Sequence, residues 1–245
     1  MRPGFSERTF EFCFNAEFCQ SVGGLLVSHP HIPPQQIEKD LGYDVAFEIQ
    51  QGQYTSSIFI QHKVAHFAEA RAGRNAQFFD YHQGPYFRFV VDNEQHNTLH
   101  ELSRNKGDAY YCAPLFHLSH ELEDHFRANT ITNNSLLLDP VQVGPLNDSE
   151  RHNITFNPGG ANPTMHSDPR RFERPFRANK EEMPEFKKRR IDALYFQEVS
   201  EEVVTRTVDS KFRDSVTWLV QRMPLLQRAQ YLLGRVYKVS WVLVP

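Results

Sequence analysis

Two short apolar runs separated by a polar break constrain the fold of this chain most. The runs cover residues 43–49 and 57–64, and the break at residues 50–53 contains Gly52. Val, Ile, Phe and Tyr favour extended strands, and a glycine in a polar break favours a turn. The pattern therefore predicts a β-hairpin centred on Gly52.

The predicted hairpin gathers polar side chains at one end. With the turn centred on Gly52, Asp44 lies opposite Gln61, give or take one residue. Side chains alternate between the two faces of a strand, so Gln61 and Lys63 share a face. A carboxylate, a carboxamide and an ammonium group then meet in an apolar setting. Polar groups are costly there unless they are paired or bind a ligand.

These residues resemble the motif of the PD-(D/E)xK nuclease superfamily, in its variant with Gln in place of the second acidic residue. Gly42-Tyr43-Asp44 is followed, seventeen residues after Asp44, by Gln61-His62-Lys63. The resemblance covers residues 5–140 and includes the order helix, three strands, helix and strand. It implies a restriction-endonuclease-like α/β fold, with a central mixed sheet flanked by helices.

The resemblance also implies a role for each matched residue. Asp44 and the main-chain carbonyl of His62 would bind a divalent cation, Mg²⁺ or Mn²⁺, with Gln61 as a weaker neutral ligand or water-positioning group. Lys63 would orient the attacking water and stabilise the developing charge. Mg²⁺ prefers oxygen ligands and keeps several waters, so one carboxylate and carbonyl oxygens suit it. Gln61 departs from the acidic pattern and should weaken metal binding.

A helix is predicted before the hairpin, from Ser6 as its N-cap to about Ser21. It carries a stripe of phenylalanines at Phe10, Phe14 and Phe18. Glu17 falls inside this apolar stripe. The superfamily commonly contributes a glutamate from its first helix, which makes Glu17 the candidate and Glu7 its substitute. Alternatively, Glu17 is a boundary residue that reaches solvent.

The segments after the hairpin alternate between strand and helix patterns. Leu99 and Leu102 would face the core from one helix, and Pro114 would end a strand buried on both faces. Strands interleaved with helices indicate an α/β sandwich. The predicted elements are a strand at 85–91, a helix from about Asn93, a strand at 108–114, a helix at 119–129 and an apolar run at 136–138.

The net charge of −3 excludes a uniformly basic surface, so any nucleic acid must meet a local patch. Residues 170–190 hold nine Lys or Arg against four Glu. Arg71 and Arg74, in the polar stretch between the second and third strands, are further candidates for phosphate contact. The basic residues of the stretch 170–190 include Lys187, Lys188, Arg189 and Arg190.

Length and composition predict one sizeable core with additions. The expected organisation is a nuclease-like core at 1–156, an irregular basic excursion at 157–190, and C-terminal helices with a final strand at 191–245, packed on the core. Three cysteines in apolar contexts predict reduced thiols in a cytoplasmic protein, and no apolar run is long enough to predict a membrane span. The chain lacks the glycine-rich patterns of nucleotide-binding loops.

Together these patterns predict a magnesium-dependent nuclease, with DNA as the favoured partner. The superfamily suggests bacterial defence against foreign DNA as its setting, and a homodimer or a partner protein of a defence system as its assembly. Two alternatives stay open. One is a catalytically inactive scaffold on the nuclease fold, with Gln61 marking a lost acidic ligand. The other is a metal-dependent enzyme acting on a different phosphoester.

Overall fold

A computed structural model describes the chain in segments that fall into two compact units. The first unit comprises Met1–Gln51 and Ser56–Lys188, and the second comprises Gly52–Thr55 and Arg189–Pro245. Within the described segments, no helix combines the length and the apolar character that crossing a bilayer requires. The described residues are 1–33, 41–52, 54–73, 76–148, 151–166, 169–178, 186–187 and 189–190.

Four α-helices lie in the described part of the first unit. They are α1 (Glu7–Val22), α2 (Ala76–His82), α3 (Asn93–Asn105) and α4 (Ser119–Ala128). The Ser6 hydroxyl accepts a hydrogen bond from the Thr9 N–H, and the Asp92 carboxylate accepts one from the Gln95 N–H. These N-caps satisfy backbone donors that have no partner inside the helix. The predicted starts of α1 and α3 are confirmed.

Eleven strands are described. They are β1 (Val45–Gln51), β2 (Tyr54–His62), β3 (His66–Ala68), β4 (Tyr86–Val91), β5 (Asp108–Pro114), β6 (Ser135–Leu138), β7 (His152–Phe156), β8 (Thr164–His166), β9 (Arg170–Arg171), β10 (Phe176–Arg177) and β11 (Arg189–Arg190). A mixed sheet has the order β1-β2-β5-β6-β10, with β2 and β5 parallel. A second, antiparallel sheet has the order β3-β4-β7-β8-β9. Within the second unit, β11 pairs with Tyr54 and Thr55.

The mixed α/β class is confirmed, with two corrections in detail. The predicted strand at 85–91 exists as β4, but it belongs to the second sheet, where it pairs with β3 and β7. Its partner β7 lies some sixty residues further along the chain, and local sequence cannot reveal such a partner. The stretch 157–190, expected to be irregular, contains the short strands β8 to β11 in its described residues. The helices and strand predicted beyond residue 191 lie outside the described residues.

Apolar clusters cover both faces of the mixed sheet. On one face, α1 and α4 pack against residues such as Ile60 and Cys112. On the other face, α3 and the second sheet pack against residues such as Tyr111. All seven residues of β5 are buried, which confirms that this strand is covered on both faces. Each fully buried large apolar side chain contributes about 1.5–3 kcal/mol to folding.

Glycines fix the two ends of β1. Gly52 follows β1 with a φ of 63°, in the left-handed region that glycine adopts at little cost. Gly42 has a φ of 76°, and a Cβ there would lie 2.8 Å from the Thr98 side chain of α3. Only a glycine allows the chain to pass this close to α3. This backbone path places Asp44 directly before β1.

Candidate functional site

The site is organised around a buried hydrogen bond between Asp44 and Gln61. The Asp44 N–H donates to the Ile60 carbonyl over 2.9 Å, which places Asp44 beside the end of β2 as the predicted register requires. Gln61 Nε2 then donates to Asp44 Oδ1 over 2.8 Å. Asp44 is 6% exposed and Gln61 is 1% exposed. The two polar side chains therefore interact with each other where water has little access.

His62 supplies the second partner of the Asp44 carboxylate. Its backbone N–H donates to Asp44 Oδ2 over 2.5 Å, while its ring Nδ1 lies 3.6 Å from the same oxygen. Burial, the largest influence, raises the pKa of Asp44. The interactions with His62 and the positive charge of Lys63 outweigh burial, so the pKa lies below its ordinary value. Asp44 is therefore a carboxylate at neutral pH.

The amide orientation of Gln61 leaves one oxygen without a partner. Turning the amide over would direct its oxygen at the Asp44 carboxylate, where two acceptors repel, so Nε2 faces Asp44. Gln61 Oε1 is then buried and accepts no hydrogen bond within the described part of the chain. A buried acceptor without a donor is unfavourable by about 1–3 kcal/mol. The site therefore has an oxygen available for a donor or a cation.

Lys63 is held from two directions. Its N–H donates to the Cys112 carbonyl of β5 over 2.9 Å, which fixes the backbone just beyond β2. Its Nζ donates to Gln95 Oε1, in the first turn of α3, over 3.2 Å. The side chain is half-buried, and its charge lowers the pKa of Asp44. The sequence pattern did not identify Gln95, which orients the ammonium group.

The first turns of α1 bring two more carboxylates towards the site. Glu7 Oε2 accepts the Val64 N–H over 3.2 Å, directly after Lys63. The pKa of Glu11 is raised, mainly by burial. The negative charges of Asp44 and Glu7 raise it further, whereas the interactions with His62 and Arg8 lower it. Glu7 and Glu11 are four residues apart, and this spacing places them on one face of α1. That spacing was the signal in the sequence that could have identified Glu11.

Glu17 is not part of this site, which corrects its place as the first helical candidate. Its Oε2 accepts the Ile131 N–H over 2.8 Å, and its Oε1 accepts the Thr132 N–H over 3.0 Å and the Thr132 hydroxyl over 2.5 Å. These three donors belong to the turn before β6. The buried carboxylate thus stabilises a loop, whereas Glu7, the substitute, accepts the N–H of Val64 directly after Lys63.

The residues predicted to contact nucleic acid have other partners where they are described. Arg71 makes a two-bond pair with Asp80, over 2.7 and 2.9 Å, on the surface. Lys187 donates from Nζ to the carbonyls of Ser103 and Gly107 at the end of α3. Arg74 and Lys188 lie outside the described residues, as do the side chains of Arg189 and Arg190.

Two side chains of the site offer oxygen atoms of the kind that bind a hard divalent cation. Asp44 offers an ionised carboxylate, Gln61 offers the unpartnered Oε1, and both are oxygens, the ligands that Mg²⁺ and Mn²⁺ prefer. Across the described residues, no three His, Cys, Asp or Glu side chains stand close enough together to hold a metal. A cation here would therefore depend on one carboxylate and one amide, with waters or a phosphate completing its coordination. Mg²⁺ commonly binds proteins in this way.

The whole chain was also compared with known proteins. Neither the protein-family models, nor the curated proteins, nor the solved structures contain a match.

Proposed function

We propose that the chain is a magnesium-dependent nuclease of the PD-(D/E)xK type that hydrolyses phosphodiester bonds, with DNA as the favoured substrate. The observation that carries the proposal is the 2.8 Å hydrogen bond between Asp44 and Gln61, two residues before Lys63. Buried polar groups are costly unless they are paired or bind a ligand, and Gln61 Oε1 is buried without a partner among the described residues. The mixed sheet that contains β2 and β5 supports the proposal at the level of the α/β fold class.

Each residue would contribute a separate part of the chemistry. Asp44 and Gln61 Oε1 would hold the cation, which supplies Lewis acidity and neutralises phosphate charge. Lys63, oriented by Gln95, would stabilise the negative charge that develops on the phosphate oxygens. Glu7 and Glu11 would add negative potential that favours a bound cation. Burial of Asp44 and Gln61 would strengthen their interactions with a cation because little water screens them.

A substrate panel tests this proposal. The full chain is incubated with plasmid, linear double-stranded and single-stranded DNA, RNA and a phosphomonoester, in Mg²⁺, in Mn²⁺ or in a chelator. We expect metal-dependent cleavage of DNA that Asp44→Asn abolishes while the variant remains folded at the assay temperature. Cleavage of the phosphomonoester alone would favour an enzyme acting on another phosphoester. Equal activity of Asp44→Asn and the wild type would contradict the proposal.

A non-cleaving scaffold is the second candidate, and one observation favours it. Both oxygens of Asp44 already accept hydrogen bonds from donors of the chain itself, Gln61 Nε2 and the His62 N–H. A site that has lost its second carboxylate could keep its shape through such internal bonds. Calorimetric titration with Mn²⁺ separates the candidates, because a scaffold would show no binding that depends on Asp44.

Two parts of the proposal rest only on the resemblance to the superfamily. They are a setting in bacterial defence and a partner protein that activates the enzyme. If the chain cleaves DNA in the substrate panel, a defence protein encoded beside it in the genome would be the next partner to test.

A further inference from the structure

The ring of His62 is buried between the mixed sheet and α1. Side chains alternate along β2, so His62 faces α1 whereas Gln61 faces the opposite side of the sheet. The imidazole is nearly perpendicular to the ring of Phe10, with centroids 5.8 Å apart, and to that of Phe14, with centroids 5.3 Å apart. All three aromatic side chains are 0% exposed. The two phenylalanines therefore hold the imidazole in one orientation.

Neither ring nitrogen of His62 makes a hydrogen bond within the described part of the chain. His96 is equally buried, but its Nδ1 bonds with the Tyr111 hydroxyl and its Nε2 with the Gly144 carbonyl. Burying a polar ring without such partners is unfavourable, and an apolar side chain of similar shape would avoid that cost. The histidine at position 62 therefore indicates a role beyond packing.

The imidazole of His62 meets the carboxylate of Asp44. Its Nδ1 lies 3.6 Å from Asp44 Oδ2, the same oxygen that accepts the His62 backbone N–H over 2.5 Å. Gln61 Nε2 bonds with the other oxygen, Oδ1. A separation of 3.6 Å is longer than a hydrogen bond, but a proton carried on Nδ1 would still attract the carboxylate, because little water screens this pair. His62 thus contacts Asp44 through its backbone and through its ring.

We propose that the His62 side chain positions the Asp44 carboxylate for a divalent cation. This inference rests on the proposed function, in which Asp44 is a ligand of that cation. A carboxylate can turn about its side-chain bonds, and an imidazole fixed by Phe10 and Phe14 restricts that rotation. Groups that contact a metal ligand from behind set its orientation and tune the affinity for the metal. His62 acts through Asp44 and is therefore a positioning residue.

Replacing the ring of His62 while keeping the backbone tests this role. His62→Phe keeps an aromatic ring beside Phe10 and Phe14 and keeps the backbone N–H that bonds with Asp44, but it removes both ring nitrogens. The folded variant should bind Mn²⁺ about tenfold more weakly than the wild type in calorimetric titration, as for the loss of a group that orients a metal ligand. A histidine with only a packing role would leave the Mn²⁺ affinity unchanged.

His100→Phe is the matched control. His100 is also buried, its Nδ1 makes no hydrogen bond within the described residues, and that nitrogen lies 3.7 Å from Glu101 Oε1. The control thus removes a comparable ring that has no contact with Asp44 among those described, and it should bind Mn²⁺ as the wild type does. His62→Leu is a second test variant, which removes the nitrogens with a smaller side chain and should also bind Mn²⁺ about tenfold more weakly.

Cleavage kinetics give a second measurement. With saturating Mn²⁺, His62→Phe should lower kcat about tenfold and leave the KM for DNA unchanged, because the ring acts on the ligand of the cation and not on DNA. Weaker Mn²⁺ binding by the two His62 variants supports the role even if no substrate is cleaved.

The remaining outcomes separate this role from the proposed function. If the wild type binds Mn²⁺ through Asp44 and the folded His62 variants bind it as tightly, the role of His62 is overturned and the proposed function stands. If neither His62 variant folds, the ring is structural and its positioning role is overturned. If the wild type shows no Mn²⁺ binding that depends on Asp44, the proposed function fails and the role of His62 fails with it.

Discussion

Gln61 Nε2 lies 2.8 Å from Asp44 Oδ1 and donates a hydrogen bond to this buried carboxylate. The neutral amide donates to Asp44, whereas a second carboxylate would repel it. Under the proposed function, an amide in place of a second carboxylate would exchange some affinity for a cation for stability of this buried pair.

Gln61→Glu should reverse that exchange. Two carboxylates in contact raise the pKa of one of them, so the metal-free protein should lose about 1–3 kcal/mol of unfolding free energy at neutral pH. Mn²⁺ should bind at least about tenfold more tightly, since a carboxylate attracts a hard cation more than an amide does. Denaturant unfolding and calorimetric titration measure the two effects. Unchanged or weaker Mn²⁺ affinity would show that Gln61 does not face the cation.

Glu17→Gln should lower the free energy of unfolding and leave the cleavage activity unchanged. The carboxylate accepts three hydrogen bonds from Ile131 and Thr132, and its loss should lower the free energy of unfolding by about 1.5–3 kcal/mol. The activity of each folded molecule should match that of the wild type. Glu123→Gln, on the surface of α4, is the matched control and should change neither quantity. A loss of activity at unchanged stability would return Glu17 to the active site.

His96 should make the fold sensitive to acid. Its Nε2 donates to the Gly144 carbonyl over 2.9 Å, its Nδ1 accepts from the Tyr111 hydroxyl over 3.0 Å, and burial is the main cause of its pKa of about 4. The unfolded chain, with a pKa near 6.5, binds the proton more readily. Stability is therefore fully present above pH 6.5 and is lost as the pH falls through 4. The loss from this group is about 3 kcal/mol.

The measurement is denaturant unfolding between pH 7 and pH 4. His96→Gln should be less stable at pH 7 and should lose less stability on acidification than the wild type. Equal losses in both proteins would show that other groups cause the acid sensitivity, such as His166, whose pKa is also lowered to about 4, mainly by burial.

The four basic residues at positions 187–190 should provide the phosphate contacts that make nucleic-acid binding salt-dependent. Replacing Lys187, Lys188, Arg189 and Arg190 together with Gln should lower the slope of log affinity against log salt by about 0.9 for each phosphate that the variant no longer neutralises. Lys187→Gln alone should mainly lower stability, since its Nζ donates to carbonyls at the end of α3. An unchanged slope in the fourfold variant would move the binding surface to Arg71 and Arg74.

Local patterns predicted the elements that depend on local physics. The hairpin, the N-cap of α1 and the burial of β5 follow from side-chain periodicity and from turn residues, which act over a few positions. The role of Glu17 could not be predicted, because its partner Ile131 lies 114 residues away along the chain. The same holds for Gln95, which reaches Lys63 through the packing of α3. Long-range pairing also placed β4 in a second sheet.

The cleavage rate of a Lys63 variant tests the central claim most directly. Lys63→Met keeps the apolar stem of the side chain and removes its charge, and Lys106→Met, at the end of α3, is the matched control. In single-turnover cleavage of labelled DNA with Mg²⁺, we expect Lys63→Met to be slower than the wild type by about 10²–10³-fold, as for the removal of one donor to a developing charge. Lys106→Met should cleave at the wild-type rate, and both variants should remain folded at the assay temperature. Cleavage by Lys63→Met at the wild-type rate would contradict the assignment of Lys63 to the chemistry.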